Sequence, residues 1–187
     1  MEFTNEQKLI ITLLTDIHAK LEIEDSLDPM LVQRMVSEGQ GWALEWKYPG
    51  MFEESGETPT AVVFVCEVLE MWSVLEGSFE ALDDNQRQAL SEAAGVFGRN
   101  VRFPGFDGNN EGEYLSIAHI LVEDLERWSE FQGRIDNAHM PTIDGYERML
   151  PVFDAIRDRK LDDGNFNGLD VEELAQILNE RTHPENR

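Results

Sequence analysis

The sequence predicts an all-α protein, a single compact domain of about six or seven helices packed around a central apolar helix. Three observations carry that reading. Apolar residues recur at helical spacing in nearly every segment, capping residues with glycine and proline punctuate the segment ends, and Ala61–Leu75 is apolar on most sides. A helix apolar on most sides over its first turns is what a central, packed position requires. A chain of 187 residues can bury one sizeable core, and 41% apolar with 28% charged residues is the composition of a globular domain. Residues 1–181 read as that domain and 182–187 as a frayed tail.

Thr4 and Gln7 stand at capping-box spacing ahead of Leu9, Ile10, Leu13, Leu14, Ile17 and Leu21, which repeat along one face of a first helix. Asp28-Pro29 reads as a cap with proline at the first helical position, followed by Leu31, Val32, Met35 and Val36. Gly39 and Gly41 interrupt the pattern before Trp42, Leu44 and Trp46, so this helix bends or breaks. A loop at Tyr48–Glu57 leads to Thr58-Pro59, which opens the central helix. The β-branched start of that helix also fits a strand, but its length and its Leu, Met and Trp content favour helix. Asp83–Ala94 reads as a short surface helix ended by Gly95 and Gly98. Arg99–Asn110 is a loop, and Glu111–Phe131 a long helix carrying Tyr114, Ala118, Leu121, Leu125 and Trp128. After Thr142, residues Tyr146, Met149, Leu150, Phe153 and Ile156 keep helical spacing, with Pro151 marking a kink or a fresh start. A polar turn at Asp162–Gly168 precedes a final helix capped by Asp170.

Composition excludes several classes of function. With 38 acidic against 15 basic residues the formal net charge is −23. From Tyr48 to Gln86 there are nine carboxylates and no lysine or arginine. Binding to phosphates takes clustered cations, so direct contact with nucleic acid or an anionic membrane is disfavoured. The same surface would suit a basic protein partner, including one whose groove ordinarily takes nucleic acid. The longest near-apolar run, Ala61–Val74, contains Glu67, Glu70 and Ser73 and is too polar to span a bilayer. The acidic N-terminus resembles neither a secretory signal nor a transit peptide, and one cysteine, Cys66, suits a reducing compartment. The expected location is cytoplasmic.

Several stretches together resemble the YfbU family of bacterial proteins. They are Met1-Glu2 with Thr4-Asn5, Gln7 and Leu9-Ile10; Val68-Leu69-Glu70-Met71-Trp72; and Phe103 with Gly105-Phe106-Asp107, Glu111 and Tyr114, followed by Tyr146, Arg148, Met149 and Leu150. The resemblance runs from Met1 to about Ile156, and is less typical between Leu82 and Asn100 and around Asp162. It implies a small helical fold, a bacterial cytoplasmic setting and self-association. It supplies no catalytic residues, because the family has no assigned activity.

The segment Phe103–Tyr114 is the one with a claim to a special role. Phe103 and Phe106 can anchor a loop in the core, Gly105 and Gly108 permit unusual backbone angles, and Asp107 or Asn109 can cap the helix starting near Glu111. The functional alternative is a ligand site built from Phe103, Gly105, Phe106, Asp107, Glu111 and Tyr114, with Glu113 beside them. Two segments partly match a calcium loop. Asp107 to Tyr114 fits the first eight positions of the pattern but has Ala118 where the bidentate glutamate belongs. Asp163-x-Asn165-x-Asn167-Gly168 starts well, but Glu173 arrives one residue early. The histidines His18, His119, His139 and His183 do not cluster and show no zinc-hydrolase spacing. Cys66 lies in the apolar helix with no base nearby in sequence, where burial would make it inert. Adjacent carboxylates at Glu53-Glu54, Asp83-Asp84 and Asp162-Asp163 do not face one another on a helix, and phosphate-loop, dinucleotide and nucleophile-elbow patterns are absent.

No metal or cofactor is implied. The expectation is a non-enzymatic protein acting through protein contacts, most simply a homo-oligomer. The alternative is an enzyme or small-ligand or metal-binding protein with a carboxylate-lined pocket near residues 103–114.

Overall fold

The computed structural model describes residues 3–24, 26–51, 57–164, 167–183 and 185. Among these residues the secondary structure is helical apart from one isolated β-bridge between Phe106 and Asn137, so the fold is all-α. The helices are α1 (Asn5–Leu21), α2 (Pro29–Ser37), α3 (Gly41–Lys47), α4 (Thr60–Glu80), α5 (Asp84–Ala94), α6 (Val96–Arg99), α7 (Gly112–His119), α8 (Ile143–Asp162) and α9 (Val171–Asn179). Nine α-helices replace the expected six or seven among the described residues, because turns the spacing ran together are separate elements.

The ends are set by local chemistry. Thr4 with Gln7, Asp83 with Gln86 and Asp170 with Glu173 form capping boxes, satisfying backbone donors that open α1, α5 and α9. Asp28 accepts from the N–H groups of Met30 and Leu31 with Pro29 at the first helical position. The glycine interruption divides α2 from α3, with Gly39 left-handed between them.

The central helix is α4. It buries Val62, Val65, Val68, Leu69, Met71, Trp72 and Leu75, and α7, α8 and α9 pack against it. Helices α5, α6 and α9 pack together on one side of the core. Two sequence expectations change. The stretch Glu111–Phe131 is not one long helix: α7 ends at His119, a π-helical turn follows at Ile120–Asp124, and a single 3₁₀ turn spans Ser129–Phe131. Tertiary contacts override the helical spacing. The Lys47 ammonium donates to the Asp124 carbonyl (2.9 Å), and the Trp128 indole N–H donates to Glu70 on α4 (3.1 Å). Glu126 and Trp128 adopt left-handed backbone angles between those anchors. Pro151, in contrast, starts no new helix; α8 runs through it, with the ring exposed.

The largest departure is α1. Its apolar face does not enter the core. Leu9 is 62% exposed, Leu13 55%, Leu14 59%, Ile17 55% and Leu21 65%, and Ile10 is exposed too. The helix packs on α2 through its opposite side, with Thr15 buried and the Lys8 ammonium donating to the Ser37 carbonyl at 3.1 Å. Full burial of one Leu or Ile side chain is worth about 1.5–3 kcal/mol, so the isolated chain forgoes much of what this stripe has to offer.

Candidate functional site

Residues 103–111 cross the top of the aromatic core. The Phe103 ring lies 6.0 Å from Trp72, 5.4 Å from Phe131 and 6.2 Å from Tyr146, centre to centre, and 5.8 Å from Phe106. Phe106 stacks on Tyr114 at 5.9 Å and meets the edge of Tyr146 at 5.5 Å. The backbone between these rings is tied to residues 135–138. The Ala138 N–H donates to the Phe106 carbonyl (3.0 Å), and the Gly108 N–H donates to the Asn137 side-chain oxygen (2.9 Å). Gly105 sits at φ +84°, and its carbonyl accepts from the buried Tyr146 hydroxyl at 2.7 Å.

Glu111 ties this loop to α8. One carboxylate oxygen accepts from the N–H groups of Thr142 (2.7 Å) and Ile143 (2.9 Å). The other accepts from the Asp107 N–H (2.9 Å) and the Thr142 hydroxyl (2.7 Å). Thr142 and Ile143 open α8, and the Thr142 side chain makes no cap of its own. A carboxylate from another part of the chain therefore supplies the negative charge and the acceptors that a helix N-terminus needs. Burial pushes the Glu111 pKa up, but these hydrogen bonds outweigh it and hold the carboxyl below its usual range. Asp107 is held low mainly by the Asn110 side-chain amide (2.5 Å) and by the Asn109 N–H (3.1 Å), an Asx turn closing the loop.

Phe103, Gly105, Phe106, Asp107, Glu111 and Tyr114 are thus brought together, but both carboxylates face inward and spend their acceptors on the protein's own donors. The polar turn near the C-terminus behaves alike. Asp163 ends α8, Asn165 lies outside the described residues, Asp170 caps α9, and Glu173 pairs with Arg159 and Lys160. No group of three or more His, Cys, Asp or Glu side chains that could hold a metal occurs among the described residues. Cys66 is half-buried, and burial pushes its thiol up to about 11.

Two cavities adjoin the loop. An open groove of about 710 Å³ runs beside α4, where Glu76 and Arg134 are paired and Glu76 also accepts from the Phe103 N–H at 2.7 Å. A second cavity of about 460 Å³ lies on the Pro104 side, between α8 and the chain leaving α9. Its walls include Phe97, Pro104, Met140, Tyr146 and His183, and its charged groups are Arg148, Arg181 and Asp144. Arg148 donates to the carbonyls of Glu180 (2.9 Å) and Arg181 (3.1 Å), pinning the end of α9 to α8. The Arg181 guanidinium lies over Phe97 at 4.3 Å and over Trp72 at 5.4 Å from the ring centres.

The family model for the YfbU domain matches residues 1–180, nearly the whole chain. The chain belongs to the YfbU family. A relative, UPF0304 protein MJECS11 of Methanocaldococcus jannaschii, is 26% identical over 121 residues, covering 62% of this chain. The match spans 65% of that relative's length, a little under two thirds. The Glu111 knot falls inside the YfbU match, as does the Arg148–Arg181 cavity apart from Arg181, Thr182 and His183, which lie just beyond it. No helix among the described residues is long and apolar enough to cross a membrane. The aromatic and glycine residues of this YfbU loop stand out in the sequence, whereas Arg181 is isolated among polar residues and meets Phe97 and Trp72 only through folding.

Proposed function

We propose that this YfbU-family protein acts through protein–protein contact and that it self-associates through α1. The observation that supports this most is the solvent-facing stripe of Leu9, Ile10, Leu13, Leu14, Ile17 and Leu21 on a helix whose main packing partner among the described residues is α2. Contiguous exposed apolar surface of this kind marks an interaction site.

A second copy of the chain is the occupant that fits. A two-fold interface needs a patch complementary to itself, and a single apolar helix crossing its copy antiparallel provides one. Crossing at Leu13 sets Leu9 against the partner's Ile17 and Lys20 against the partner's Glu6, so the rim charges are complementary while the centre is apolar. In a chain of net charge −23, most other pairings would bring like charges together. The pair is expected in a reducing cytoplasm, given the single half-buried cysteine.

Size exclusion with light scattering at micromolar concentration is expected to give twice the chain mass. Ile17→Asp, which puts a charge in the stripe one turn from the crossing point, should return the monomer with an unchanged helical spectrum. Lys20→Glu should weaken the pair, and Glu6→Lys in the same chain should restore it. A wild-type monomer across the micromolar range would overturn the reading.

A further inference from the structure

We infer that the cavity between α8 and the end of α9 is a binding site for a small organic carboxylate with an apolar body, anchored on Arg181. The inference is independent of self-association through α1, since the two rest on different elements.

Arg181 has no counter-ion among the described residues. The guanidinium makes no ion pair and no side-chain hydrogen bond among the described residues, in a chain where acidic groups outnumber basic ones more than twofold. It is largely withdrawn from water between the rings of Phe97 and Trp72. Burial pushes its pKa down, with the Tyr146 hydroxyl opposing and no carboxylate contributing. Removing a cation from water without an anion is costly, and cation–π contact with two rings offsets part of that cost without using the N–H donors. The planar fork of donors is therefore left for something that is not part of the protein.

The surroundings define the chemistry of that partner. A single guanidinium matches a carboxylate through two parallel N–H···O bonds. Phe97, Pro104, Met140 and Pro141 line the remainder with apolar surface, and about 460 Å³ is in the range of small-molecule sites. Asp144 stands at the same cavity and the protein as a whole is strongly acidic, so a polyanion such as a nucleotide or a free phosphate is disfavoured against a monoanion. Arg148 acts as a positioning residue. Its hydrogen bonds to the Glu180 and Arg181 carbonyls fix the backbone from which Arg181 reaches over the rings.

The test uses the full-length chain with benzoate and butyrate as probes, and with benzamide and inorganic phosphate beside them. Thermal shift and calorimetric titration should show saturable stabilisation by benzoate, a weaker response to butyrate, and none to benzamide, which has the shape without the charge. Arg181→Met keeps the bulk over Trp72 and removes the charge. It is expected to leave the ligand-free melting temperature nearly unchanged and to weaken benzoate by about tenfold or more. Met140→Trp narrows the mouth at a side chain that is 63% exposed, so it should block benzoate without disturbing the core. Saturable binding retained in Arg181→Met, or a response to phosphate with none to benzoate or butyrate, would overturn the assignment. So would silence of every probe. Should Arg181→Met fail to fold, unchanged benzoate affinity in Met140→Trp overturns it on its own.

Discussion

Gly105→Ala is expected to lower the unfolding free energy by about 3–4 kcal/mol, a large part of the total for a domain of this size. Two costs add. The residue sits at φ +84°, where a side chain is strained by about 1–2 kcal/mol. A Cβ built on Gly105 would also lie 1.8 Å from the Asp136 carbonyl oxygen, a backbone atom that cannot rotate away. Relief requires the 135–138 segment to withdraw. That threatens the Ala138–Phe106 hydrogen bond and the Tyr146 hydroxyl's bond to the Gly105 carbonyl, each worth about 1 kcal/mol. Gly133 provides the control, because it too has positive φ (+71°) but nothing within 4 Å of a new Cβ. Gly133→Ala should therefore show the backbone strain alone, about 1 kcal/mol. Urea denaturation of both variants measures the difference. Equal losses would mean that the close approach to Asp136 contributes nothing.

The helices were legible in the sequence wherever one segment contains its own instructions. The capping box at Thr4 and Gln7, the Asp28-Pro29 start, the Asp170 cap and the apolar character of α4 on most sides are local signals, and each has its helix. Two features were not local. The spacing from Glu111 to Phe131 is helical, and contacts remote in sequence, Lys47 and Glu70 among them, turn the chain away after the π-helical turn at Ile120–Asp124. The periodicity of α1 is equally clear, but periodicity states that a face is apolar and not what covers it. Residue type likewise flagged Gly105, Asp107 and Glu111 without naming their partners. Those partners are residues 135–146 across the loop, and with them Glu111 becomes a helix cap rather than the wall of a pocket. Arg181 illustrates the same limit. Nothing near it in sequence is aromatic, and its meaning comes from Phe97 and Trp72, which are distant along the chain.

Glu111→Ala is the second large effect, with an expected loss of about 4 kcal/mol at neutral pH. The substitution leaves the N–H groups of Asp107, Thr142 and Ile143 without their acceptor in a place that water reaches poorly, while the Thr142 hydroxyl keeps only its longer bond to the Gly105 carbonyl (3.3 Å). Each buried donor left unmade costs about 1–3 kcal/mol, and the three share one site, so the total is less than their sum. Glu111→Gln keeps one acceptor oxygen but points an amide N–H₂ at donors, and it should fall between wild type and alanine. The pH dependence distinguishes this account from a simple packing loss. The folded-state pKa of Glu111 lies below its usual 4.5, so the contribution is fully present above that value and is lost as pH falls through the lowered pKa. Asp107 and Glu173 are also held low and destabilise both proteins in acid, which makes the difference between wild type and Glu111→Ala the informative quantity. That difference should narrow progressively in acid, as the protonated carboxyl ceases to serve four donors. A gap that stays constant from neutral pH into acid would assign Glu111 to packing alone, and α8 would then need another source for its N-terminal charge.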